Sequence, residues 1–187
     1  YEDVEGIEAW MLEQLAAVSG RFPIRVVSVT THGATCVCVG EDGKPSIPCI
    51  SYTNEPGDAF HEEFYRTVGD PDELQRVTAT ARFGALTNLA QGVFYAQRQF
   101  PEGWRNTEWV LNYPQYFGFR LTGSVGAEYT YVGCHSYLWD FTEGDWSVVA
   151  DRLGMREKLP KEVRRSWEVL GTVSDAVAQR TGLRKDT

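Results

Sequence analysis

The sequence predicts an α/β fold in which helices flank a mixed sheet, and three observations lead there. Apolar residues recur at three- and four-residue spacing over 3–18, the period of a helix with one buried face. Two runs rich in β-branched residues follow, "IRVVSV" and "ATCVCV", the composition of buried strands. Beyond residue 85 the pattern becomes mainly helical, so helix and strand alternate early and helices dominate late.

Each element has a local reason. Asp3 is placed to cap the first helix, and Val4, Ile7, Met11, Leu15 and Val18 form its expected apolar face. Gly20 and Pro23 stop it. A strand is expected over 24–29 and a second over 34–39, adjacent in one sheet with the first helix on its face. "GEDGKP" is a turn containing the hairpin pair Asp42-Gly43, and 47–52 is a third extended piece. Short helices are expected over 60–68 and 72–80, and a firmer one over 89–100, closed by Pro101. Residues 109–111 read as a strand and 114–121 as a helix ended by Gly123. Residues 126–140 read as irregular. Asp145 is expected to cap a helix with Trp146, Val149, Ala150 and Leu153 on one face, and Ser174 to cap the last helix, which Gly182 ends.

Composition excludes some functions. The chain has 187 residues, 42% hydrophobic and 24% charged, enough for one good-sized core. Its net charge of −8 and pI near 4.9, without a basic block, argue against nucleic acid and anionic membranes as partners. No apolar run approaches the roughly 18 residues of a membrane span. No basic-then-apolar leader is visible, so a reducing cytoplasmic setting is expected. The sequence opens on Tyr1 and closes just past a helix, and both ends read as cut. Cys36 and Cys38 form C-x-C within a strand pattern and share one face. Structural zinc sites prefer C-x2-C pairs, so these read as small buried apolar residues with no metal bound.

The polar interruption Thr30-Thr31-His32-Gly33 separates two segments that look buried. In open α/β sheets ligands meet the chain at the carboxyl ends of strands. Hydroxyls, an imidazole and a glycine there suit a polyhydroxy compound. They equally suit a corner whose histidine bonds to backbone. "TNLAQ", residues 87–91, places a hydroxyl and two amides before a helix, and N-capping by Thr87 or Asn88 accounts for it as well. Glu128 and Asp140 could form a hydrolase carboxylate pair, but their spacing does not require one. His61 in "FHEEF" reads as a solvated helix residue. No P-loop, dinucleotide fingerprint or nucleophile elbow occurs.

Four phrases in order carry a resemblance: "VSVTTHGATCVCVGEDGKPSIPCISY", "WVLNYPQYFGFRLTG", "YLWDFTEGDWSVVADRLGM" and "WEVLGTVSDAVAQRTGL". Together they resemble the FGGY family of carbohydrate kinases over nearly the whole chain, most weakly over 53–82. "EYTYVGCHSYLWD", with its Glu-x-Thr, leans toward the rhamnulokinase and fuculokinase side. The resemblance implies a ribonuclease H-like (actin-like ATPase) fold, with two domains facing across a cleft. This chain would be most of the first, sugar-binding domain, without its opening strands. It implies that Thr31, His32 and Gly33 meet the sugar, and that Thr87, Asn88 and Gln91 form another wall. Gly92 stands where many members carry a lysine. The family's phosphate loop would precede Tyr1 and its general-base aspartate would follow Thr187, so no catalytic residue is expected in this chain.

The implied activity is transfer of phosphate from ATP, with Mg²⁺, to a hydroxyl of a monosaccharide or polyol. The fragment alone would be inactive. The alternative is a non-catalytic sugar-binding or regulatory domain of the same fold. The expected partners are the sugar or polyol and ATP held through the other domain. Absent opening strands would leave a sheet edge unpaired, which favours association as a homodimer.

Overall fold

A computed structural model describes all 187 residues, Tyr1–Thr187. The first helix, α1 (Val4–Ser19), begins at Asp3, whose carboxylate accepts the Gly6 amide at 2.9 Å. Val4 and Leu12 are its buried residues, and Met11 and Leu15 pack beside them. Ile7 and Val18, expected inward, are exposed. The inward stripe is rotated because Glu8 turns in to meet Arg120, whose Nε reaches its two oxygens at 3.0 and 2.9 Å.

The strand expected over 24–29 forms no ladder. From Arg25 to Thr31 no backbone amide or carbonyl has a backbone partner. Ile24, Val27 and Val29 still pack against α1 and the last helix, α9 (Asp175–Thr181). The expected pairing of 24–29 with the next strand fails because the chain leaves line between them. Ala34 there takes the left-handed φ of 63°. Strand β1 (Cys36–Gly40) pairs instead with β2 (Thr107–Asn112), antiparallel, with Cys36 opposite Asn112 and Cys38 opposite Val110.

This pair is a wall between two cores. Cys38 and Val110 face a cluster of 22 buried residues that includes Phe64, Phe94, Tyr137 and Met155. Val37, Val39 and Leu111 face a cluster of 8 that includes Tyr116 and Phe117. The shared face of the C-x-C pair follows from the two-residue period of a strand.

Helices cover the larger core: α2 (Asp58–Val68), α3 (Pro71–Thr78) and α4 (Leu89–Gln99). Pro101 ends α4 and opens the short α5 (Pro101–Arg105). Helix α6 (Tyr113–Thr122) ends on Gly123 at φ 76°. The stretch expected to be irregular holds β3 (Ala127–Glu128), the one-turn α7 (Tyr129–Val132) and β4 (Trp139–Asp140).

Asp145 does not cap a helix. Asp145–Trp146 form β5 against β4, with the Trp139 and Trp146 rings edge to face at 5.7 Å. Committing Trp146 to that pair leaves Ser147 to cap α8 (Val148–Arg152), accepting the Val149 amide at 3.2 Å. Strand β6 (Val163–Arg164) runs parallel to β3. Ser174 caps α9 and Gly182 ends it at φ 73°. The chain is therefore α/β, with its six strands in three two-stranded pairs. No helix is long and apolar enough to cross a membrane.

Candidate functional site

The loop leading into β1 has its own architecture. The Thr31 hydroxyl donates to the His32 carbonyl at 2.9 Å. His32 lies in the open, and its ring sits between Tyr52 and Tyr113, with centroids 5.0 and 4.9 Å away. Its Nδ1 lies 3.0 Å from the Gly33 carbonyl. A Cβ on Gly33 would meet nothing within 4 Å, so packing does not demand glycine there, and the backbone is open to an approaching group. Ala34, in its left-handed conformation, is buried. Strained backbone of this kind persists only where its surroundings over-determine it.

The second predicted stretch is placed differently. Thr87 is half-buried, whereas Asn88 and Gln91 are both 0% exposed. Asn88 caps α4, its Oδ1 accepting the Ala90 amide at 3.1 Å. The Leu89 and Ala90 amides also reach the His135 and Ser136 carbonyls, at 2.9 and 3.2 Å. Gln91 donates through Nε2 to the Tyr65 hydroxyl at 3.4 Å, and that hydroxyl meets Tyr137's at 3.2 Å.

Between the two stretches lies a narrow cleft of about 20 Å³, walled by β1, the 47–52 segment and α4. Ala34, Tyr52, Leu86 and Gly92 line it, so the flanks of both predicted stretches border one space. The lining is mostly apolar and includes Cys36, Cys38 and Cys49. Burial pushes the Cys49 thiol up to about 12, and the Cys36 thiol is raised by its hydrogen bond with Cys38 and then by burial. These are poor nucleophiles, because the thiolate is the reactive form.

Polar groups collect at both flanks. The Thr35 hydroxyl, the Asn112 amide nitrogen and the Tyr113 hydroxyl are buried without a protein partner. So are the Asn88 amide nitrogen and the Gln91 amide oxygen. Burial raises the Tyr113 phenol to about 12, so it stays neutral and able to donate. Groups left in this condition are costly unless something pairs with them.

His61 corrects the expectation of a solvated residue. It is 7% exposed, and its Nε2 lies 3.0 Å from Oε1 of Glu55. Glu55 also accepts the Gly57 amide at 3.0 Å and the Ala85 amide at 2.8 Å. These bonds, led by Gly57, hold its carboxyl below the usual range. One carboxylate thereby fastens the 52–57 loop to the segment entering α4. Glu128 has a similar capping task on α7, so no carboxylate pair with Asp140 forms: Asp140 accepts the Thr142 amide at 2.8 Å. No cluster of His, Cys, Asp or Glu suited to a metal is present.

Sequence reasoning missed the tyrosines: Tyr52 and Tyr113 at His32, Tyr65 and Tyr137 at Gln91. No local motif marks them, since each comes from a different element.

The family model for the FGGY family of carbohydrate kinases, N-terminal domain, matches residues 9–187. This chain belongs to the FGGY family. A rhamnulokinase from Halalkalibacterium halodurans is 22% identical over 156 residues, covering 83% of this chain and 33% of that relative. The solved structure of a carbohydrate kinase from Novosphingobium aromaticivorans superposes with a TM-score of 0.85 at 27% identity, covering 97% of this chain and 37% of that one. A ligand-bound xylulose kinase from Lactobacillus acidophilus gives 0.83 at 16% identity, over 100% of this chain and 38% of that one. The fold is thus the ribonuclease H-like, actin-like ATPase fold of these kinases. The FGGY chain spans about a third of the length of the relatives it matches.

Proposed function

We propose that this chain is the sugar-binding part of a carbohydrate kinase that transfers the γ-phosphoryl group of ATP to a hydroxyl of a monosaccharide or polyol. The observation that carries the reading is the Thr31-His32-Gly33 loop. It presents a hydroxyl, a ring-clamped imidazole and an open glycine backbone beside the cleft, in a member of this family. Thr87, Asn88 and Gln91 form the opposite flank. With Asn88 and Gln91 fully buried, their part is to hold the wall, and Thr87 is the group at its surface.

ATP and Mg²⁺ fit nothing in this chain, which has neither a carboxylate cluster nor a P-loop. Phosphoryl transfer works mainly by positioning and by neutralising charge. Here the chain's share is positioning: its side chains orient the accepting hydroxyl. The phosphate loop and the base that takes the hydroxyl proton are assigned to the rest of the enzyme, and the segment alone should transfer nothing. Free thiols and consumption of ATP fit a cytoplasmic setting.

The test is a panel of xylulose, rhamnulose, gluconate and glycerol, each with ATP, on the full-length protein. Phosphorylation of at least one is expected. His32→Ala should then lower sugar kcat/KM by roughly 2- to 13-fold, the worth of one hydrogen bond at about 0.5–1.5 kcal/mol, with KM for ATP unchanged. Binding without transfer would favour the regulatory alternative. A lowered thermal midpoint with unchanged sugar kinetics would return His32 to a structural corner.

A further inference from the structure

The Glu128-x-Thr130 motif lies outside the cleft lining, yet the next residue reaches the substrate loop. The Tyr131 hydroxyl lies 2.9 Å from the Thr35 carbonyl and 3.2 Å from the His32 carbonyl, and it accepts the Thr35 amide at 3.3 Å. A phenol has one proton and two lone pairs. It can therefore donate toward the two carbonyls and accept from Thr35 at once, tying both sides of Gly33 and Ala34 to one atom. The Thr35 carbonyl also takes the Tyr113 amide at 3.1 Å, and Tyr113 is one of the two rings against His32.

The support for Tyr131 is rigid. Helix α7 is a single turn held by Glu128, which accepts the Thr130 amide at 2.8 Å, the Thr130 hydroxyl at 2.6 Å and the Tyr131 amide at 3.0 Å. Tyr129 anchors the turn between the edges of Trp139 and Phe141, with the Arg165 guanidinium 3.8 Å above its ring. Val132 is buried beneath it. Left-handed Ala34 supplies an independent sign that the loop is held: an alanine there needs its neighbours fixed.

We infer that Tyr131 is a positioning residue that latches the 31–35 loop in its sugar-facing shape, and that Glu128 and Thr130 serve to present it. The inference rests on the sugar-kinase reading above and goes beyond it. Tyr131 touches no substrate in this arrangement; it acts through the His32 and Thr35 backbone.

Tyr131→Phe in the full-length protein tests it, because the ring is kept and only the hydroxyl is removed. Two readouts are needed: kinetics with whichever of xylulose, rhamnulose, gluconate or glycerol is turned over, and amide exchange by mass spectrometry. The variant should raise sugar KM about 3- to 30-fold, with kcat within about twofold and KM for ATP unchanged. Exchange of the Thr35 amide, which the hydroxyl accepts, should quicken about tenfold while the β1–β2 ladder keeps its protection. Glu128→Gln, which loosens the turn without touching the loop, should move both readouts the same way by less. Wild-type exchange and wild-type sugar KM in Tyr131→Phe would overturn the latch, and so would uniformly faster exchange with a fallen midpoint. Faster exchange at Thr35 with unchanged sugar KM would uphold the latch and overturn the assignment of the loop to sugar. If none of the four compounds is turned over, that assignment fails and the exchange arm alone decides the latch.

Discussion

Residues 24–29 and the strand Cys36–Gly40 are close in composition and opposite in fate. Both are short β-branched runs that read as buried strands. The second is laddered along its length to Thr107–Asn112, with Val37 and Val39 fully buried. The first has no backbone partner from Arg25 to Thr31, and Val26 is 81% exposed. Side-chain pattern reports which residues could face a core. A ladder also needs a neighbouring strand at about 4.8 Å, and nothing in the run itself supplies one. The first run keeps its apolar contacts through Ile24, Val27 and Val29 and leaves its main chain to solvent.

The largest contrast should appear in hydrogen exchange. Amides across 25–31 should exchange at least about a thousandfold faster than those of Val37 and Leu111, the bonded pair of the β1–β2 ladder, which open only with the domain. Comparable protection of the two stretches would erase the distinction. Next comes packing. Leu111, opposite Val37 and fully buried, should cost about 2–5 kcal/mol when changed to Ala, whereas Val26→Ala should fall within about 0.5 kcal/mol of wild type. Urea unfolding midpoints measure both, and an equally costly Val26→Ala would mean that 24–29 is covered in solution.

The smallest effect sharpens the comparison from the β1 side. Glu55 has a folded value below its ordinary 4.5, so its contribution is fully present above that pH and is lost as pH falls through the lowered value. Glu55→Gln should lower the thermal midpoint at pH 7, with the gap to wild type closing as pH drops below about 4. Protection of 24–29 should not respond. A gap that stays constant with pH would remove Glu55 from the tie between the 52–57 loop and Ala85.

Much of the helical framework was legible because its signals are local. Asp3, Ser174, Gly123 and Gly182 stand where cap chemistry requires them. What was not legible depends on partners distant in sequence. Ser147 displaced Asp145 as a cap because Trp146 found Trp139. Ile7 and Val18 face out because Glu8 turned in toward Arg120. His61 is buried because the Glu55 side chain reaches back to it. Of the candidate site, residue types alone left the 31–33 loop open between ligand contact and structural corner, while Asn88 could be read as a cap from its place before a helix. The tyrosines around them could not, because Tyr52, Tyr113 and Tyr131 meet at His32 and Thr35 only once three separate segments have folded.

The pairing of α1 with α9 has a consequence for synthesis. Leu12 shares its cluster with Val177, Ala178 and Leu183, and the Ser19 hydroxyl donates to the Thr181 carbonyl. At ribosomal speeds of about 5–20 residues per second, roughly ten to thirty seconds pass between completion of the first helix and the arrival of the last. Through that interval Leu12 has Ile24, Val27 and Val29 beside it, while Val4 can already pack with Val37, Val39 and Cys49 and Glu8 waits for Arg120. The side of α1 that faces α9 is thus secured last, although α1 itself is made long before α9.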